Sequence, residues 1–138
     1  MKIRLILASL LLFATAFVHA WGGELTDIKA LAQSGIAEIF EYEIRAVWHA
    51  ISIDFASSAL ILAWLISKNR WTKYDLLYRP IGWRMMLYGL VFLFVVLTQD
   101  VTRVLALPQW ALLFTIGLLL VLPTRKNKLE TQPHVAFN

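Results

Sequence analysis

Four stretches of this chain are apolar enough to enter a bilayer, and the charges between them are sorted so unevenly that they dictate how the chain is threaded. Lys2 and Arg4 precede the first stretch. Lys68, Arg70, Lys73, Arg79 and Arg84 separate the second from the third, and Arg125, Lys126 and Lys128 follow the fourth. Only Lys29, Arg45 and Arg103 fall on the opposite side, together with Glu24, Asp27, Glu38, Glu41, Glu43, Asp54 and Asp100. Ten basic residues against Asp75 and Glu130 give +8 on one face, and three against seven carboxylates give −4 on the other. Because positively charged loops are retained on the cytoplasmic side, the basic face is assigned there.

Composition agrees. A chain of 138 residues that is 59% hydrophobic, with a mean hydropathy of +0.66, is too apolar for a soluble domain of its size and forms one integral membrane domain. Its pI near 9.6 comes from basic residues at span ends, where they meet lipid head groups, so no nucleic-acid partner is indicated. The absence of cysteine excludes disulfides, thiolate metal sites and thiol catalysis.

The expected spans are about 3–23, 45–67, 81–106 and 109–123. Residues 5–23 carry no charge, a run of 19 that at ~1.5 Å per residue nearly matches a hydrocarbon core of roughly 30 Å. The same stretch has a secretory signal's anatomy, with Val18-His19-Ala20 as a cleavage site, but a retained first helix is preferred. Between spans one and two, Leu25, Ile28, Leu31, Ile36, Ile39, Phe40 and Ile44 recur at mostly helical spacing. They predict an amphipathic external segment lying on the outer surface or capping the bundle, broken near Ser34-Gly35, with helix resuming at about Ile36 and running into span two. Pro80 is expected to end any helix in the basic inner loop, Pro108 to start the fourth span, and Gly89 and Gly117 to be packing points. Threading places Trp21, Trp48 and Trp110 at the outer boundary and Trp64, Trp71 and Trp83 at the inner one. The tail 124–138 is predicted to be a flexible cytoplasmic extension.

With that threading, polar groups crowd toward the outer half. His19 ends the first span; Arg45, His49 and Ser52 form one stripe on the second; Gln99, Asp100 and Arg103 end the third. Asp100 lies 17 residues beyond Trp83, or ~25 Å along a helix, at about the depth of His49. Asp54 is deeper, where a carboxylate costs roughly 2.5–3.5 kcal/mol unless it is protonated, paired or hydrated. No cation is close to it in sequence, so it is expected to face the bundle interior. Two histidines on neighbouring helices are the minimum for axial haem ligation, and with a carboxylate they could form a divalent-metal site. Phosphate loops, dinucleotide fingerprints, nucleophile elbows and zincin motifs are absent, and the serines of the second span read as close-packing positions.

The His19-Ala20-Trp21-Gly22-Gly23 end of the first helix, the Arg45-Ala46-Val47-Trp48-His49 entry to the second and the Pro108-Gln109-Trp110 hairpin into a Gly-containing fourth resemble small four-helix bacterial inner-membrane proteins, over the chain up to about residue 123. The resemblance implies an architecture and a retained first helix, and no activity.

The sequence therefore predicts an all-α, four-helix integral membrane bundle in a bacterial inner membrane, multi-pass, with both termini cytoplasmic. Its expected role is a small binding or accessory protein, without a catalytic site. An outward-facing polar pocket of His19, Arg45, His49, Asp54, Gln99, Asp100 and Arg103 would receive a small ligand, a lipid head group or a partner helix. A haem- or metal-binding redox protein using His19 and His49 is the second expectation, and an oligomeric transporter the third. Expected partners are the bilayer and a membrane protein or a second copy of this chain.

Overall fold

The computed structural model describes residues 2–69, 75–99, 101–105 and 108–122; Asp100, Trp71 and the tail 124–138 lie outside them, together with the expectations placed there. Four helices account for nearly all of the described residues: α1 (Lys2–Gln33), α2 (Glu38–Ser67), α3 (Asp75–Gln99) and α4 (Gln109–Val121). The first three are long and apolar enough to cross a membrane, whereas α4, at 13 residues or ~20 Å, is shorter.

No proline precedes Pro80, so nothing interrupts α1 for 32 residues. Its winding is α-helical over Lys2–Phe17, opens to π turns at Val18–Gly22 and Glu24–Ile28, and is α-helical again over Lys29–Gln33. The helix stops where Gly35 takes a left-handed φ of 75°, with the Ser34 amide donating to the Leu31 carbonyl at 3.0 Å. Asn69, at φ 52°, ends α2 in the same way.

The segment expected between the first two spans is helical, as its spacing predicted, and it is continuous with the helices on either side. Residues 24–33 extend α1 and residues 38–44 begin α2, so the only break is the turn at 34–37, beside the Ser34-Gly35 signal. Scattered polar residues do not break a helix when no Gly or Pro stands among them. Of the predicted apolar stripe, Ile28 is buried but Leu25, Ile39 and Phe40 remain exposed.

Pro80 does not end a helix either. It is the sixth residue of α3, where its missing N–H forfeits only a bond to the carbonyl of Leu76, a residue at the exposed helix start. Consequently α3 begins six residues earlier than expected, and Arg84, near the start of the expected span, lies well inside the helix.

The helices pair as two hairpins, α1 with α2 and α3 with α4, and α1 also packs on α4. Leu5, Ala8, Leu12 and Ala16 form the buried stripe of α1, at spacings of three and four. They meet Phe55, Ala59, Leu62 and Leu65 of α2, Met85 of α3 and Leu113, Ile116 and Leu120 of α4. Polar bonds join the same surfaces. Ser9 Oγ donates to the Ala59 carbonyl at 2.9 Å. Arg4 donates from Nε to Leu119 O at 3.0 Å and from Nη2 to Leu122 O at 2.7 Å, satisfying carbonyls that the end of α4 leaves open. The start of α1 and the end of α4 therefore share one end of the molecule.

Gly89 and Gly117 are packing points, as expected, and Gly82 joins them. A Cβ on Gly117 would lie 2.8 Å from the Gly82 carbonyl oxygen, so α3 and α4 approach at backbone distance.

Candidate functional site

The π turns of α1 surround Gly22-Gly23, and α2 inserts Trp48 there. A Cβ on Gly23 would fall 2.2 Å from Trp48 Nε1, so only glycine admits the indole. Trp48 Nε1 donates to the His19 carbonyl at 2.6 Å, an oxygen that also accepts from the Gly23 amide. The His19 ring stacks on Trp48, with centroids 4.2 Å apart and planes 13° from parallel, and meets Phe55 edge-on at 5.7 Å. His19 Nδ1 lies 2.8 Å from Ser52 Oγ, whose hydroxyl donates to the Trp48 carbonyl at 3.1 Å. Trp48 is thus a partly buried clamp between α1 and α2.

Farther along α1, Glu24 faces Arg45 and His49 of α2. Its Oε1 is 2.8 Å from His49 Nε2 and 3.5 Å from Arg45 Nε, while Arg45 Nη2 also holds Glu41 at 3.0 Å. The Glu41–Arg45 pair has the i, i+4 spacing of helix-surface ion pairs. Glu24, Arg45 and His49 remain more than a third exposed, so this cluster is a water-edge network.

A second cluster lies at mid-helix. Arg84 Nη2 of α3 is 3.0 Å from Asp54 Oδ1 and donates to Ser58 Oγ at 2.6 Å, both on α2. The Tyr88 hydroxyl donates to Asp54 Oδ2 at 3.4 Å, and its ring meets Phe55 at 6.0 Å. Asp54/Ser58 and Arg84/Tyr88 are both i, i+4 pairs, so one turn of each helix supplies the whole contact. The cation absent near Asp54 in sequence arrives from a residue the charge count placed in the basic loop.

Between α1, Trp48, and the facing sides of α3 and α4 lies a cavity of about 470 Å³. Leu11, Thr15, His19, Gly22 and Thr26 line it at steps of three and four along α1, a distance of ~22 Å. The lower part is formed by Leu11, Ala14, Phe92 and Leu112. His19, Thr26 and Asp27 lie toward the opposite end of α1, and Gln109 begins α4.

Of the seven predicted pocket residues, the described side chains are divided among different partners and hollows. His19 lines the cavity, whereas His49 lines two separate hollows, one with Phe17, Trp21 and Glu24 and one with Phe13, Ala16 and Ser52. Arg45 is held by glutamates and Asp54 by Arg84. Gln99 is exposed at the end of α3; Asp100 and the side chain of Arg103, in the turn Val101–Arg103, lie outside the described structure. The two histidines, facing different hollows and bonded to Ser52 and Glu24, do not present a shared axial pair. Among the described residues no three His, Asp or Glu side chains gather as a metal site would need. Sequence reading missed Glu24, Asp27, Trp48, Arg84 and Tyr88; the matched 54/58 and 84/88 spacings are the one signal that could have linked the mid-helix pair.

No protein-family model matches this chain, and comparison with curated proteins and with solved structures gave no significant match.

Proposed function

We propose that this chain is a small integral protein of a bacterial inner membrane, with both termini cytoplasmic, that acts as a binding or accessory protein by holding an amphiphilic small molecule in the cavity beside His19. The charge bias of the sequence supports the orientation. Withdrawing Arg84 and Asp54 from the loops as a mid-helix pair leaves +7 and −3, so the bias survives. Arg4, bonded to the end of α4, fits termini on one side. A hydrocarbon layer of roughly 30 Å covers about 20 residues of α1 and leaves its last turns, with Glu24 and Asp27, at the outer head-group level.

The observation that carries the reading is the cavity's polarity: mainly apolar from Leu11 to Val18 and Leu112, where the one hydroxyl, Thr15, donates to its own helix, and more polar from His19 to Asp27, in the direction of a lipid's own axis. Its volume lies within the ~300–1,000 Å³ of small-molecule sites. A redox centre shared by His19 and His49 is less well supported, because the rings face different hollows.

Native mass spectrometry of the full chain, extracted in mild detergent, tests this. The expected result is an intact chain carrying an amphiphile that Ala14→Phe, a bulky group added to the cavity wall, displaces. Equal adduct occupancy in both proteins would refute it.

A further inference from the structure

The cavity's hydrogen-bonding inventory is lopsided, and from it we infer the class of amphiphile: the geometry points to a single-tailed amine, bound with its ammonium group at Asp27 and its chain toward Leu11. This rests on the cavity being the binding site.

Each polar group on the wall has a definite capacity. The Thr15 hydroxyl donates its only proton to the Leu11 carbonyl at 2.7 Å. The Thr26 hydroxyl proton is directed to Gly22 O and Asp27 Oδ2, both at 2.9 Å. Both threonines therefore have only lone pairs left to offer. Trp48 has spent its one N–H on the His19 carbonyl. His19 shares one hydrogen bond with Ser52 Oγ through Nδ1; in the tautomer in which Nδ1–H donates, leaving the Ser52 hydroxyl to donate to Trp48 O, Nε2 offers a lone pair. The carboxylate of Asp27 accepts only. Among the described lining residues, Gln109 alone retains side-chain donors, and no lysine or arginine is present.

A wall of acceptors with one carboxylate favours a ligand rich in donors and positively charged. An ammonium group provides three N–H donors and one charge. A hydroxyl provides one donor and no charge, and a carboxylate or phosphate would meet Asp27 with like charge and find few donors. Asp27 is exposed at the mouth of the cavity, so its charge is partly screened there, and the discrimination rests on the balance of donors and acceptors along the wall as well as on charge. The volume, in the lower half of the small-molecule range, suits one chain.

The test is a competition read by native mass spectrometry on the full chain in mild detergent, with equimolar dodecylamine, dodecanol and dodecanoate. The expected result is at least tenfold greater occupancy by dodecylamine than by dodecanol, and least by dodecanoate. Asp27→Asn should bring the amine-to-alcohol ratio to within about twofold of one while total occupancy persists, and Ala14→Phe should remove all three. Equal binding of amine and alcohol by the wild type, preference for dodecanoate, or an unchanged amine preference in Asp27→Asn would overturn the amine assignment and leave the cavity as a binding site. Binding of none of the three, or equal binding in Ala14→Phe, would overturn both.

Discussion

Arg84 on α3 reaches Asp54 on α2, Nη2 to Oδ1 at 3.0 Å, and thereby links the two helical hairpins by charge at mid-length. Helices α2 and α3 otherwise share little surface, since each packs mainly within its own hairpin. The Arg84 and Asp54 side chains are 41% and 24% exposed, so it is the proposed bilayer around this level that would leave neither charge stable alone; Ser58 and Tyr88 fill further hydrogen-bonding positions around the pair.

Removing one partner should therefore cost more than removing both. We expect Asp54→Leu or Arg84→Leu to lower stability by about 2–4 kcal/mol, and the double variant to recover at least half of that loss, because no unpaired charge is left behind. Thermal unfolding in detergent of the four proteins of the cycle measures this. Strictly additive losses would show that the two residues act independently.

Gly23→Ala tests the Trp48 clamp. The new methyl would overlap the indole at 2.2 Å, and the ring cannot yield without losing its bond to His19 O and its stack on the imidazole. The expected loss is about 1–3 kcal/mol, the usual range for overpacking. The substitution should also alter near-ultraviolet circular dichroism, which Trp48→Phe in the wild-type background would identify as the Trp48 signal. A Gly23→Ala protein with wild-type stability and spectrum would mean that the indole is not held there.

Much of the architecture was legible in the sequence because hydrophobic run length and Gly/Pro punctuation act locally. The bounds of α4, the break at Ser34-Gly35 and the packing roles of Gly89 and Gly117 all followed from such signals. Continuity of α1 through residues 24–33 was not legible, since polarity suggested an exit from the membrane and polarity does not stop a helix. The site was harder still. The depth of Asp54 in its span signals a need for a partner, but Arg84 lies 30 positions away on another helix, next to the basic residues of the inner loop. His19 and His49 were placed at one depth, yet depth does not specify azimuth, and the helices turn them into different hollows.

At the outer end, Glu24→Ala should separate local from global stability. Glu24 binds both His49 and Arg45, but Arg45 keeps Glu41 when Glu24 is removed, and the Arg45 and His49 side chains are 40% and 42% exposed. Global stability should fall by less than about 1 kcal/mol, as for exposed ion pairs. Hydrogen exchange across residues 24–33 should nevertheless accelerate several-fold, because this network fastens the last turns of α1 to α2. A global loss of several kcal/mol, or unchanged exchange, would contradict a water-edge fastening.

The threading itself can be tested directly, because the chain has no cysteine to mask an introduced one. Ser34 lies in the turn between α1 and α2, and Lys68 lies just past the end of α2, at opposite ends of a 30-residue helix of ~45 Å. In intact cells a membrane-impermeant maleimide should label Ser34→Cys and leave Lys68→Cys unlabelled until the membrane is opened. The excess of basic residues around Lys68 and of carboxylates around Ser34 requires that order under the positive-inside rule. The reverse pattern would invert the topology and place the polar end of the cavity in the cytoplasm, and labelling of both sites in intact cells would show that α2 does not cross the membrane at all.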